Sequence, residues 1–302
     1  MPSPDNVINI INYHLVTLPE RNADIEVGFF GGTFTGLPGE KQRAYFEAVL
    51  PFIEKGRIQG IRLSTRPDFI SKEILDLLGE YPVRTIELGA QSMDDEVLRR
   101  SGRGHTSGDT INASSMILDA GFSLGLQMMI GLPGDTEEKS ITTARKIVEL
   151  GVHETRIYPV IVIKDTPLED LFRKGKYKAL ELEETIELTK KVVRIFEESN
   201  VKIIRIGLHP SEGLLNRNDY IVGPFHPSFR ELVNTSAWTD RFSNLLNEKH
   251  GEKLEIIVNP ADLNSAIGYY RKNLLLLEKH YRIVKFRADS EIEEKTFYAD
   301  HC

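Results

Sequence analysis

Three short stretches of this chain combine open backbone with polar side chains in patterns that can hold a charged ligand. The first is Gly31-Gly32-Thr33-Phe34-Thr35-Gly36. Adjacent glycines let a ligand approach the backbone closely, and amides presented together suit an anion or a polar head group. A tight turn explains the pair equally well, and the spacing is neither a Walker loop nor a GxGxxG fingerprint. The second is Ile86-Glu87-Leu88-Gly89-Ala90-Gln91-Ser92, followed by Arg99-Arg100-Ser101-Gly102-Arg103-Gly104-His105. Carboxylate or amide groups on one strand face, with a loop of arginine and histidine behind them, can grip the ammonium and carboxylate of an amino acid, because guanidinium binds carboxylate through two bonds. Bases gathered at a helix C-terminus by the helix dipole look the same. The third, Met128 to Thr136, reads as strand, turn and helix start, with Asp135 or Thr136 as the cap. The histidines His105, His153, His209, His226, His250 and His280 have no HExxH or comparable spacing, so no His-built metal centre is expected.

These stretches need elements to hold them, and the hydrophobic pattern supplies a repeating βα order. Ser3-Pro4-Asp5 starts a helix. Strands follow over 25–30, 60–65, 84–88, 123–130, 155–162 and 202–208, with helices between them over 40–53, 71–78, 107–120, 137–150 and 181–199. Repeated right-handed βαβ units imply a parallel sheet, open or closed. The strands alternate. One parity carries Ile61, Leu63, Ile86, Leu88, Leu126, Met128 and Ile130; the other carries Glu26, Arg62, Ser64, Arg66, Glu87, Gln91, Gln127, Arg156, Tyr158, Arg205 and His209. A doubly wound sheet, covered on both faces, has continuous apolar strands instead. The pattern therefore predicts a barrel, or an incomplete one, with a polar inner face and its chemistry at the C-terminal strand ends. Arg66, Gln91, Gly131 and His209 fall at those ends.

From Gly223 onward the pattern changes to one or two helices over 228–246, a strand at 254–258, a long helix over 261–279 and a strand at 283–287. Two regions are expected: a barrel core over 1–222 and a C-terminal α/β extension over 223–302. Within the extension, Arg271, Lys272, Lys279, Arg282, Lys285 and Arg287 interleave with Tyr269, Tyr270 and Tyr281. That combination suits stacking and phosphate contact with RNA, and equally the solvated face of an amphipathic helix.

Composition narrows the classes. The 302 residues carry 38 Lys plus Arg against 45 Asp plus Glu, a net charge of −7 that argues against indiscriminate wrapping of nucleic acid. No apolar run is long enough to cross a membrane, and the start MPSPDNV has no signal-peptide pattern, so no membrane partner is expected and the default location is cytoplasmic. The one cysteine, Cys302, is the last residue, which excludes an intrachain disulfide and any site built from several thiolates of this chain.

Taken in order, FFGGTFTGLP, GIRLSTRPD, TIELGAQSMDDEVLRRSGRGHT, GFSLGLQMMIGLPGDT, RIYPVIVIKDTPLEDL and IIRIGLHPSE resemble the radical S-adenosylmethionine (SAM) enzymes. The resemblance, over roughly residues 20–240, is to short bacterial proteins related to the catalytic subunit of Elongator, with the coproporphyrinogen-dehydrogenase-like proteins more distant. It implies a partial (β/α)6 TIM-like barrel holding SAM and a [4Fe–4S] cluster. In such enzymes an external electron donor reduces the cluster, SAM is cleaved to a 5′-deoxyadenosyl radical, and the radical abstracts hydrogen from a substrate. The resemblance offers a tRNA base as that substrate.

Carried over by position, Gly31, Gly32 and Thr33 match the motif that holds the methionine amino group of SAM. Gln91 matches a SAM-contacting strand end, Arg103 the partner of the methionine carboxylate, and Gln127 a ribose contact that is Asp in some relatives. Gly131 would lie beside the adenosine, and Ser64 stands where Elongator-type proteins often have Glu. The family's CxxxCxxC loop follows a first barrel strand, and both would precede residue 1. The chain is therefore expected to be an N-terminally truncated core without its first strand, unable to make the radical as it stands. A cluster-less module that binds RNA or a protein partner is the alternative.

Overall fold

The computed structural model describes residues 2–18, 24–247 and 251–301. Cys302 and His250 lie outside them. In chain order the elements are α1 (Pro4–Leu15), β1 (Glu26–Phe29), α2 (Gly39–Glu54), β2 (Gly60–Thr65), α3 (Lys72–Gly79), β3 (Val83–Gln91), α4 (Asp95–Arg100), α5 (Ser107–Asp119), β4 (Ser123–Ile130), α6 (Glu137–Glu149) and β5 (Glu154–Pro159). There follow β6 (Val162–Ile163), α7 (Pro167–Arg173), α8 (Leu182–Glu198), β7 (Lys202–Ile206), α9 (Glu212–Leu215), β8 (Tyr220–Val222), α10 (Phe229–Arg241) and α11 (Ser243–Asn247). The chain ends with β9 (Gly251–Val258), α12 (Leu263–Ile267), α13 (Lys272–Leu277), β10 (Tyr281–Ala288) and β11 (Phe297–Asp300).

Residues divide into two compact units: Met1–Tyr158 with Ile195–Ile204, and Pro159–Arg194 with Arg205–Cys302. The first holds most of a curled six-stranded parallel sheet, ordered β1-β2-β3-β4-β5-β7, which is the partial TIM-like barrel the alternation predicts. Its outer face is the main core. Ile61, Leu63, Ile86, Leu88, Leu124, Met128 and Ile130 are buried there, as are Phe46, Val49, Leu78, Ile117 and Ile147 of the helices.

The helices start where small polar side chains accept the first free amides. Ser3 accepts from Asn6 N at 3.2 Å with Pro4 in the first turn, as the sequence predicts. At the start of α6 the cap is Thr136, which accepts from Lys139 N at 3.2 Å.

The second unit contains a three-stranded sheet, β10-β9-β11, around Trp238, Phe242, Leu254, Ile256, Val258 and Leu277. Here the structure corrects the sequence reading. The long helix expected over 261–279 is broken into α12 and α13, because Gly268, Tyr270 and Arg271 take φ of 87°, 49° and 61°. The cause is tertiary. Buried Asn273 donates to Thr235 O at 3.1 Å and accepts from Thr239 Oγ1 at 2.6 Å, while Tyr269 N donates to Thr235 Oγ1 at 2.8 Å. These bonds replace the helical ladder that an uninterrupted segment would need. Tyr281, one of the interleaved tyrosines, is core: it is buried and its hydroxyl donates to Leu245 O at 3.3 Å.

Candidate functional site

The inner face of the first unit's sheet is charged, as the alternation predicts, and its charges neutralise one another. Glu87 of β3, 1% exposed, sits at the centre. Arg62 of β2 donates to it at 2.7 Å, and Arg156 of β5 donates through Nε at 2.6 Å. Arg62 also pairs with Glu26 at 3.3 Å and with Glu154. Gln127 of β4 donates to Ser64 Oγ at 3.0 Å and to Glu87 at 3.2 Å. Room for the carboxylates comes from Gly125, where a Cβ would stand 2.8 Å from Glu87 Cγ and 3.4 Å from Glu154 Cγ. Phe30 covers part of this face, folded over Gly28, with the Arg156 guanidinium 4.8 Å from its ring centre. Burial pushes the Glu87 carboxyl towards protonation. The hydrogen bonds and charges of Arg156 and Arg62 outweigh that push and hold it below the usual carboxylate range.

Towards the C-terminal ends of the strands the side chains are less fully satisfied. Gly31 and Gly32, just beyond β1, are exposed, and a Cβ at either would meet nothing within 4 Å. Thr35 fixes this loop to β2 through a 2.6 Å hydroxyl pair with Thr65, while half-buried Thr33 leads into a single 3-10 turn. At the end of β3, Gln91 takes φ 64°, and its amide lies over Gly89, where a Cβ would be 2.5 Å from Nε2. Beyond β4, Gly131 takes φ 87° and donates its N–H to Asp135 at 2.9 Å.

Arg103 is placed by the way α4 ends. Gly102 takes φ 66°, its N–H bonds to Arg99 O at 3.2 Å, and Arg103 N bonds to Leu98 O at 3.1 Å. This is the Schellman pattern, which a glycine in the left-handed region makes possible. On its far side the loop is closed by a capping box, with Thr106 and Asp109 bonded reciprocally at 3.1 and 2.7 Å. Between these stops the Arg103 guanidinium is turned inward. Its Nη2 lies 2.9 Å from Met129 Sδ, and its Nε is buried with no partner. A thioether is a weak acceptor for a cation. No carboxylate among the described residues pairs with Arg103, and burial alone lowers its affinity for its proton.

The structure thus sets Gly31, Gly32, Thr33, Gln91, Arg103 and Gly131 beyond or at the ends of β1, β3, α4 and β4. Ser64 and Gln127 lie deeper, on the inner face, and bond to each other. His209 belongs to the second unit, where its Nδ1 is 3.3 Å from Arg205. One residue of this region carries a role that the sequence does not signal: Glu154 lies one position before the predicted start of its strand, so the charge set looks incomplete from sequence. His105, expected from sequence as part of the loop behind β3, is buried, with Nε2 3.2 Å from Ala90 O. The glycines on either side of Arg103 were the available signal. An apolar cavity of about 180 Å³ beside β1, lined by Val7, Ile11, Phe29 and Phe34 among others, offers no charged group to fix a ligand.

S-Adenosylmethionine suits this edge, since its carboxylate would satisfy the unmatched guanidinium and the open glycines would admit its polar head. A cluster does not suit it. Among the described residues no three His, Cys, Asp or Glu side chains assemble as a metal site.

Known proteins place the chain. The radical SAM superfamily profile matches residues 11–147, and the radical SAM C-terminal domain matches 152–238. The chain is 34% identical over 164 residues to an uncharacterized protein of Methanocaldococcus jannaschii, covering 53% of this chain and 50% of that one. It is 27% identical over 176 residues to the tRNA uridine(34) acetyltransferase of Methanocaldococcus infernus, covering 57% of this chain and 33% of the relative. It therefore spans half or less of the length of these relatives. Among solved structures, an archaeal Elp3 of Methanocaldococcus infernus with an N-terminal deletion superposes with a TM-score of 0.69 at 24% identity, over 80% of this chain and 62% of that one. That likeness concerns the fold.

Proposed function

The chain belongs to the radical SAM superfamily, and we propose that it is the SAM-binding core of an enzyme of the Elongator-related branch. The superfamily's cofactors are SAM and a [4Fe–4S] cluster, and the cluster supplies the electron for homolytic cleavage of SAM. The described residues do not fit the cluster, so the reading is confined to SAM. Arg103 takes the methionine carboxylate in place of the thioether it faces now. The amides of Gly31, Gly32 and Thr33 offer backbone to the methionine head, Gln91 contacts it from the end of β3, and Gly131 leaves room beside the adenosine. Ser64 and Gln127 bound the site from below. Gln127 reaches the ribose only through its carbonyl oxygen, because its amide nitrogen is spent on Ser64 and Glu87.

One observation carries this reading: a half-buried guanidinium with a buried, bare Nε and a sulfur for a neighbour, beside the open strand ends. A buried donor without a partner costs about 1–3 kcal/mol, which a bound carboxylate would recover. The substrate follows the relatives. Relatives in sequence are named tRNA uridine(34) acetyltransferase and Elongator complex protein 3, and we infer a tRNA base as the target. Isothermal calorimetry with SAM tests the first step. Saturable binding at one site, weakened about 10- to 100-fold in Arg103→Ala, is expected from loss of a charged hydrogen bond. Equal binding by both proteins would remove the basis of the assignment.

A further inference from the structure

We propose that His105 is a positioning residue: its imidazole ties the loop that carries Arg103 to the strained turn that carries Gln91, and so fixes how both side chains meet a ligand. The ligand's identity rests on the SAM reading above; the tie itself does not.

The turn comes first. Ser92 N donates to Ala90 O at 2.7 Å, two residues back, while Gln91 between them takes φ 64°. A three-residue turn of this hand is the rare and strained form of γ-turn, and a residue other than glycine adopts it only where its surroundings compel it. The β3–β4 register shifts between Leu88 and Gln91, so the regular ladder does not run unbroken through this point. His105 Nε2, 3.2 Å from the same Ala90 oxygen, supplies a second bond to the carbonyl around which the turn closes. A carbonyl can only accept, so Nε2 is the donor in this bond, and Nδ1 has no partner of its own.

That unpartnered nitrogen gives the second argument. His105 is 6% exposed and its Nδ1 is buried without a partner. A leucine or methionine could fill this volume with no unmet hydrogen bond. What a histidine adds is the Nε2–H bond to Ala90, which crosses from one loop to the other.

The third argument is the freedom of the loop. On the α4 side Arg103 is held by the bond of its N–H to Leu98 O, while on the other side Gly104, at φ 75°, gives the backbone latitude before the capping box at Thr106. Buried His105 is the next residue and pins the loop to the end of β3. One ring therefore registers Arg103 against Gln91, two side chains twelve positions apart in sequence.

The test compares two substitutions of similar length, His105→Gln and His105→Met, of which only glutamine can donate to Ala90 O. The readouts are the hydrogen-exchange rate of the Ser92 amide by NMR and the SAM affinity by calorimetry. His105→Met should speed Ser92 exchange and weaken SAM binding, each by about tenfold, the worth of one hydrogen bond. His105→Gln should stay within about threefold of the parent in both. In a Gln91→Gly background, where glycine accepts φ 64° without strain, the Met substitution should change Ser92 exchange by less than about threefold. Indistinguishable glutamine and methionine variants, or an undiminished Met effect on Ser92 exchange in the Gln91→Gly background, would overturn the proposal. If the parent protein does not bind SAM, the functional reading fails, and the exchange comparison still decides the tie.

Discussion

The arginines of the inner face and the arginine beyond α4 are the same chemical group in one compact unit, and they live under opposite conditions. Arg62 and Arg156 reach Glu87 at 2.7 and 2.6 Å, and Arg62 reaches Glu26 at 3.3 Å besides. Arg103 has a buried Nε without a partner and a methionine sulfur for a neighbour. Charge that is matched within the fold holds the half-barrel's strands in register. Charge left unmatched, at the edge where the strands of such folds end, is available to something that is not protein. A polar barrel interior is therefore not one site: its floor is matched charge that holds strands together, and its rim carries the unmatched charge proposed above to take the ligand.

The sharpest way to break this comparison is to remove the floor's central carboxylate. Glu87→Ala leaves the largely buried Arg156 without a carboxylate and takes one of three from Arg62, and loss of one partner from a buried pair costs about 3–5 kcal/mol. Chemical denaturation should show a loss of that size, whereas Arg103→Ala should leave stability unchanged or raise it. Similar losses for both would erase the distinction between floor and rim.

Gly125→Ala is the next largest. Its Cβ would crowd Glu87 Cγ at 2.8 Å, and overpacking of this kind costs about 1–3 kcal/mol. Thermal unfolding should fall while SAM affinity keeps its parent value.

Acid should act on the floor with a definite sign. The folded carboxyl of Glu87 lies below its ordinary value of 4.5, because its two arginines outweigh the burial that opposes them. The native state then takes up this proton less readily than the unfolded chain. The stabilisation is complete at neutral pH and is lost as pH falls from about 4.5 through the lower folded value. Denaturation midpoints measured from pH 6 to 3 should show a decline that Glu87→Gln flattens. Smallest of all, Phe30→Ala removes the ring over Arg156 and should cost about 0.5–1 kcal/mol.

The floor was legible as a parity and illegible as a network. Period-two alternation put Arg62, Glu87, Gln127 and Arg156 on one face, since backbone geometry alone sets which face a strand residue takes. Their pairing depends on register between strands distant in sequence, which no local window contains. Glu154 was missed for a related reason, as the apolar run that marks its strand begins one residue later. The rim was half legible. Gly102 and Gly104 announced a turn around Arg103, yet a base cluster at a helix end reads the same whether or not it has a partner. That Nε is orphaned is a fact of packing. In the second unit, nothing local in YYRKN announces left-handed backbone at Tyr270 and Arg271; the buried bonds of Asn273 and Thr235, nearly forty residues apart, create it.

The most direct test of a matched floor and a spare rim is a binding cycle on the carboxylate itself. SAM and decarboxylated SAM would be titrated calorimetrically into the parent protein and into Arg103→Ala. The account predicts that the parent prefers SAM by about 10- to 100-fold and that Arg103→Ala binds the two compounds almost equally, since the charged bond at stake is worth about 1.5–3 kcal/mol. A preference for SAM that survives unchanged in Arg103→Ala would show that the carboxylate is held elsewhere and contradict the central claim.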